Sequence, residues 1–180
     1  TLAELETIRK VCTKYDMPLI IDGARLGYAL TATGNDVTLE DIARIADVFY
    51  IGGTKVGAMF GEAVVFTHGN MPKNFVTLVK QHGALLAKGW LLGVQFDTLF
   101  TDDLYCRIAR HANDAADRIR EVLVERGYTL TFDAPTNQIF ITLDNATSER
   151  LQRNVRLGFM EKADDTHTVM RICTSWATTD

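Results

Sequence analysis

Apolar positions recur at helical spacing at the start of the chain. Leu2, Leu5, Ile8 and Val11 predict an amphipathic helix over residues 2–15, with Thr1 as its N-cap and Glu4 three positions on. The period then changes. Pro18 opens an unbroken apolar run, Leu19-Ile20-Ile21, that ends at Asp22, and such runs predict a strand buried on both faces of a parallel sheet. Thr38 opens a predicted helix over 38–45. Asp47-Val48-Phe49-Tyr50-Ile51 predicts the next strand, closed by Gly52-Gly53, and Ala63-Val64-Val65-Phe66 a third. Strand, helix, strand at these lengths is βαβ order, hence an α/β sheet.

Residues 73–126 are helical in pattern. The strongest stretch runs from Leu104 to Arg126, where Ile108, Ala112, Ala115, Ile119, Val122 and Leu123 share a face and Gly127 follows as a stop. Residues 138–143 then alternate as a strand does, Ser148 to Val155 predicts a helix, and Val169 to Cys173 a last strand. We expect two domains on this pattern: residues 1–100 as part of a larger domain with a mostly parallel sheet, and residues 101–180 as a smaller α/β unit.

Composition narrows the function classes. The 180 residues are 47% apolar and 23% charged, the balance of a globular chain that can offset its ordering entropy by burial. The net charge of −4 argues against a nucleic-acid partner, which needs a concentrated basic face. No apolar run is long enough to span a bilayer, and the first residues lack the order of a signal peptide. Cys12, Cys106 and Cys173 are widely spaced, with no CxxC pair, and read as reduced thiols of a cytoplasmic protein. His68, His111 and His167 have no ligand-type neighbours at metal spacing, so no metal site is expected.

Two positions carry the chemistry. Asp22 ends the first apolar run and is followed by Gly23 and Arg25; in open α/β sheets, ligands bind beyond the carboxyl ends of strands. Taken alone, Asp22 reads as a turn cap paired with Arg25. Lys55 follows the next strand on the turn Gly52-Gly53-Thr54, where it can act as an amine nucleophile; taken alone, it reads as a solvated loop lysine. GGTKVG lacks the GxxxxGK[ST] spacing, which excludes a phosphate loop of the nucleotide-triphosphate type. Together the two positions say more. A pyridoxal-phosphate enzyme needs a lysine to hold the aldehyde, and a carboxylate to keep the pyridine nitrogen protonated so that the ring can take up carbanion electrons. Adjacent parallel strands would place both groups in one crevice.

PLIIDGARLGYAL followed by DVFYIGGTKVGAMFGEAVVF resembles the threonine aldolase and β-eliminating lyase family of fold-type I pyridoxal-phosphate enzymes, most strongly over residues 1–66. The resemblance implies a fold-type I α/β large domain plus a small α/β C-terminal domain. It implies Lys55 as the Schiff-base lysine, Asp22 on the pyridine nitrogen, Ala24 against a face of the ring, and Arg25 toward cofactor and substrate carboxylate. It also implies Thr54 as a phosphate contact and Arg171, in VMRICTSW, as the residue that grips the substrate carboxylate, for which a guanidinium fork is suited. His82 and Lys88 lie where the family has residues near the site, but read better as a helix-end histidine and a solvated lysine. Trp90, Leu92, Phe96 and Leu99 read as core or interface.

The activity implied is cleavage of a β-hydroxy amino acid, of the threonine or allo-threonine type, to glycine and an aldehyde. The alternatives are a β-eliminating lyase or an amino-acid racemase on the same scaffold, or a silent piece that serves only in interaction or dimerisation. The resemblance further implies a small-molecule amino-acid substrate and a homodimer or homotetramer. The Gly-rich phosphate turn and the ring-stacking aromatic of the family have no match before Asp22. The small domain's closing helix has no match after Asp180. We therefore expect the chain to be part of a longer one.

Overall fold

The computed structural model describes residues 1–179 as two compact units, Thr1–Leu30 with Gly34–Ile108, and Thr31–Thr33 with Ala109–Asp180. The first unit opens with helix α1 (Leu2–Lys14). Its capping box is complete: Thr1 Oγ1 accepts from the Glu4 N–H, and the Glu4 side chain accepts from the Thr1 backbone. Then come β1 (Ile20–Ile21), α2 (Leu26–Leu30), α3 (Leu39–Ile45), β2 (Val48–Gly52), β3 (Glu62–Phe66), α4 (Phe75–Gln81), α5 (Trp90–Phe100) and a 3-10 turn at Thr101–Asp103. Thr38 caps α3 with the same reciprocal box, through Asp41.

The first sheet has the order β1-β2-β3. β1 and β2 are parallel, with Ile20 opposite Val48, as βαβ order requires. β3 runs antiparallel to β2, so the described part of the sheet is mixed. The reason lies in the connection: the segment between Gly52 and Glu62 holds turns and no helix, whereas a parallel return needs a crossover of about a dozen residues or more. Nor is β1 buried on both faces. Ile20 is 66% exposed in this chain, where β1 pairs only with β2 among the described residues.

Tyr28, Ile42, Ile45, Phe49, Val56, Leu99 and Tyr105 form the buried interior of this unit. Of the four apolar residues read as core or interface, Leu99 is core, and Trp90, 65% exposed in this chain, is not core. A large ring on a helix with apolar residues on several sides does not declare which side is buried.

Helix α6 (Leu104–Glu125) contains the division between the units. It ends as its glycine predicts: Gly127 takes φ +80°, and the Tyr128 N–H reaches the Leu123 carbonyl at 2.9 Å. The second unit continues with β4 (Gln138–Asp144), α7 (Asn145–Gln152), β5 (Gly158–Lys162) and β6 (His167–Cys173). Its antiparallel sheet has the order β4-β6-β5. Ala116, Ile139, Ile141, Leu143 and Met170 form its core, with Ile119, Leu123 and Leu151 packed around them.

Two elements here depart from expectation. Helix α7 starts at Asn145, not Ser148, because Asp144 is the cap: its side chain accepts from the Thr147 N–H at 2.8 Å. Strand β5 has no counterpart in the sequence reading. It is an edge strand whose Phe159 and Met160 are exposed, so its side chains do not alternate apolar and polar as those of a half-buried strand do.

Candidate active site

The parallel pairing of β1 and β2 brings Asp22 and Lys55 to the same end of the sheet. Asp22 follows the last residue of β1, and Lys55 lies three residues beyond the end of β2. Between them two backbone segments are pressed together. The Gly52 N–H donates to the Gly23 carbonyl at 2.9 Å. A Cβ on Gly23 would lie 1.6 Å from the Tyr50 carbonyl oxygen, and one on Gly52 would lie 2.5 Å from the Ala24 carbonyl oxygen. These glycines therefore let one loop approach the other.

Side chains from the interior fasten the two loops. Tyr105 Oη accepts from the Gly27 N–H at 3.1 Å and donates to the Gly52 carbonyl at 2.9 Å. Tyr28 donates its hydroxyl to the carbonyl of Lys55. The Gly53 N–H donates to Glu62 Oε2 on β3 at 2.9 Å, and the Val56 and Ala58 N–H groups close turns on the Gly53 carbonyl. The backbone of Lys55 is thus tied, while its side chain is only partly buried.

Asp22 is exposed, yet strongly held. Its Oδ1 accepts from the Tyr50 hydroxyl and, at 3.0 Å, from the Ala24 N–H. These two bonds, and then the nearby charges of Lys55 and Arg25, keep its carboxyl below the ordinary 3.8. Asp22 is therefore an anion at neutral pH, within electrostatic reach of both cations. It is not bridged to Arg25 as the turn-cap reading supposed. Arg25 is partly buried, and its Nε has no hydrogen-bond partner among the described residues. It lines, with Asp22, Leu26 and Ile42, a cleft of about 360 Å³.

Asp22 and Arg25 thus line one cleft of the first unit, Ala24 bonds Asp22 through its N–H, Lys55 lies within electrostatic reach of Asp22, and Thr54 is exposed. Tyr50 was not singled out in the sequence. As one residue of a strand it carries no signal beyond its β-propensity, and its hydroxyl's partner emerges only from the register of β1 against β2. Arg171 belongs to the second unit, on β6. Its Nη1 donates to Gln138 Oε1 at 3.2 Å, and its buried Nε has no partner among the described residues. With Arg156, Leu157, Gly158 and Cys173 it lines a separate cleft of about 340 Å³. His82 caps the end of α4, and Lys88 is exposed. No group of three metal-ligating side chains occurs among the described residues, nor any helix long and apolar enough to cross a membrane.

Comparison with known proteins places this arrangement. The chain is 31% identical over 150 residues to a low specificity L-threonine aldolase of Pseudomonas aeruginosa, covering 83% of this chain and 43% of that protein. Its fold matches that of a solved threonine aldolase of Leishmania major with a TM-score of 0.94 at 42% identity, over 99% of this chain and 52% of that one. It also matches an aspartate aminotransferase of Thermus thermophilus, at a TM-score of 0.67 and 16% identity, over 98% and 48% of the two chains; this last likeness shows the fold alone, and the fold is the fold-type I α/β architecture. The chain spans about half the length of these relatives. The family model for beta-eliminating lyases matches residues 1–146, and the chain belongs to that family.

Proposed function

We propose that the protein is a pyridoxal-phosphate-dependent aldolase that breaks the Cα–Cβ bond of threonine-type β-hydroxy amino acids, releasing glycine and an aldehyde. One observation carries this reading: Asp22 and Lys55 stand beyond the ends of adjacent parallel strands, close enough that the lysine's charge helps to hold the carboxyl ionised. The threonine aldolases among its relatives support the choice of reaction.

The residues present fit the cofactor. An anchored carboxylate has a lysine and a guanidinium with an unsatisfied buried donor within electrostatic reach. When bound there, pyridoxal phosphate supplies an electron sink for the charge left on Cα. Asp22 would keep the pyridine nitrogen protonated, Lys55 would provide the amine that holds the aldehyde, and Ala24 and Thr54 would serve the ring and the phosphate. Arg25 in the first unit and Arg171 in the second are each candidates for the substrate carboxylate, each with an Nε that has no partner among the described residues. The protein acts in the cytoplasm as a homodimer or homotetramer. Exposed apolar side chains along α4, α5 and the segment between them, among them Val76, Leu85, Leu86, Trp90 and Val94, support self-association.

The test is aldehyde release from threonine and from allo-threonine by the cofactor-loaded protein, with Lys55→Ala beside it. Release by the parent that falls below detection in Lys55→Ala is expected. Full cofactor loading with no aldehyde from either isomer would sink the aldolase reading and favour β-elimination or racemisation.

A further inference from the structure

We propose that Tyr50 is a positioning residue for Asp22: its hydroxyl fixes one carboxylate oxygen and so leaves the other for the cofactor's ring nitrogen. The proposal deepens the pyridoxal-phosphate reading above and rests on it.

A free carboxylate turns easily, because the terminal torsion of Asp is broad. Here two donors converge on the same oxygen. The Tyr50 hydroxyl and the Ala24 N–H both bond Oδ1, and Oδ2 accepts no hydrogen bond among the described residues. Two donors on one oxygen hold the plane of the group and commit the remaining lone pairs to the other oxygen. Tyr50 is well placed for this. It sits on β2, opposite Val64 of β3, and β2 is the neighbour of the short strand that Asp22 follows. Its backbone carbonyl is also the atom against which Gly23 packs, so one residue touches the Asp22–Ala24 segment through both main chain and side chain.

The charges around the pair favour the same arrangement. Lys55 and Arg25 face Asp22 and support its anion. The hydrogen bond to Asp22, and then burial and the charges of Asp22 and of Glu62 on β3, raise the Tyr50 phenol above the ordinary 10.0, so the hydroxyl stays a donor at neutral and mildly alkaline pH. A tyrosine that merely packed in the strand would have no reason to make this bond.

The experiment uses the protein loaded with pyridoxal phosphate labelled with ¹⁵N in the ring. The ring nitrogen's chemical shift is followed against pH, and the cofactor dissociation constant is measured, for the parent, Tyr50→Phe, Asp22→Asn and the double variant. Tyr50→Phe should weaken cofactor binding by about threefold to tenfold, the size of one hydrogen bond, and let the nitrogen lose its proton at lower pH than in the parent. In the Asp22→Asn background the same change should add nothing, since the two groups act as one unit. Curves for Tyr50→Phe that match the parent would overturn the proposal, and so would an equal loss in both backgrounds, which is what a merely structural role predicts. Should Tyr50→Phe not fold, fluorotyrosine placed at position 50 keeps the ring and alters the strength of the donor. The nitrogen's titration must then move, and an unmoved curve overturns the proposal. A parent that binds no pyridoxal phosphate defeats the underlying reading and this inference with it; a parent that binds normally beside an unaffected Tyr50→Phe defeats this inference alone.

Discussion

At position 23 there is room for a hydrogen atom and nothing larger, since a Cβ would stand 1.6 Å from the Tyr50 carbonyl oxygen. Gly23→Ala must therefore push the Asp22–Ala24 segment off β2 or distort the strand. We expect a loss of roughly 3 kcal/mol in unfolding free energy, at the upper end for overpacking, together with weakened cofactor binding because Asp22 moves with its neighbour. Urea denaturation and cofactor titration of the same variant check both, and a variant with parental values on each would show that the contact relaxes without consequence. Asp22 and Lys55 were legible in the sequence because Asp22 ends one apolar run and Lys55 follows the next on a glycine turn, and together they carry the charge pattern of a sheet's lip. Tyr50 was not legible. The apolar run that assigns it to a strand is blind to what its hydroxyl meets 28 residues away.

Among elements, the register of β1 against β2 decides whether the two charged groups meet, and Asp47 sets that register. Its Oδ2 accepts from the Leu19 N–H at 2.7 Å and from Arg9 Nη1 of α1 at 2.7 Å, while its own N–H donates to the Leu19 carbonyl at 2.9 Å. The Leu19 N–H first, and then Arg9, hold this carboxyl below the ordinary 3.8. A carboxyl with a lowered folded-state pKa stabilises fully above its unfolded value, and the contribution is lost as pH falls through the lower folded value. Asp47→Ala should thus cost about 2–3 kcal/mol at neutral pH, and the gap to the parent should close as the pH drops below about 4. Urea titrations at several pH values measure this, and a gap independent of pH would contradict the assignment. The helix boundaries set by Thr1, Thr38 and Gly127 could be read from sequence because each rests on a local motif. The start of α7 shifted because Asp144 and Ser148 are both plausible caps, and only Asp144 lies where its side chain meets a free N–H. The direction of β3 followed from a connection length, and β5 stayed hidden because an exposed edge strand has no buried face to impose a period.

Across the whole molecule, chemistry is divided between two units, each with its own sheet and core. The first holds the groups assigned to the cofactor, and the second holds Arg171. Assigning the substrate carboxylate to Arg171 separates two measurable properties. Arg171→Ala should raise KM for the amino acid by roughly a hundredfold, as expected when one partner of a charged pair is removed, and leave the visible spectrum of the bound cofactor as in the parent. Steady-state kinetics beside that spectrum decide it, and an unchanged KM would take Arg171 out of the substrate site.

The central claim is that Lys55 is the residue that carries the cofactor, and mass spectrometry tests it most directly. The protein is incubated with pyridoxal phosphate, reduced with borohydride to make any lysine–cofactor link permanent, and digested for peptide mapping. The account predicts one dominant modified peptide with the added mass on Lys55, absent from Lys55→Ala along with the visible absorption band. Modification spread over surface lysines, or undiminished cofactor attachment in Lys55→Ala, would contradict it.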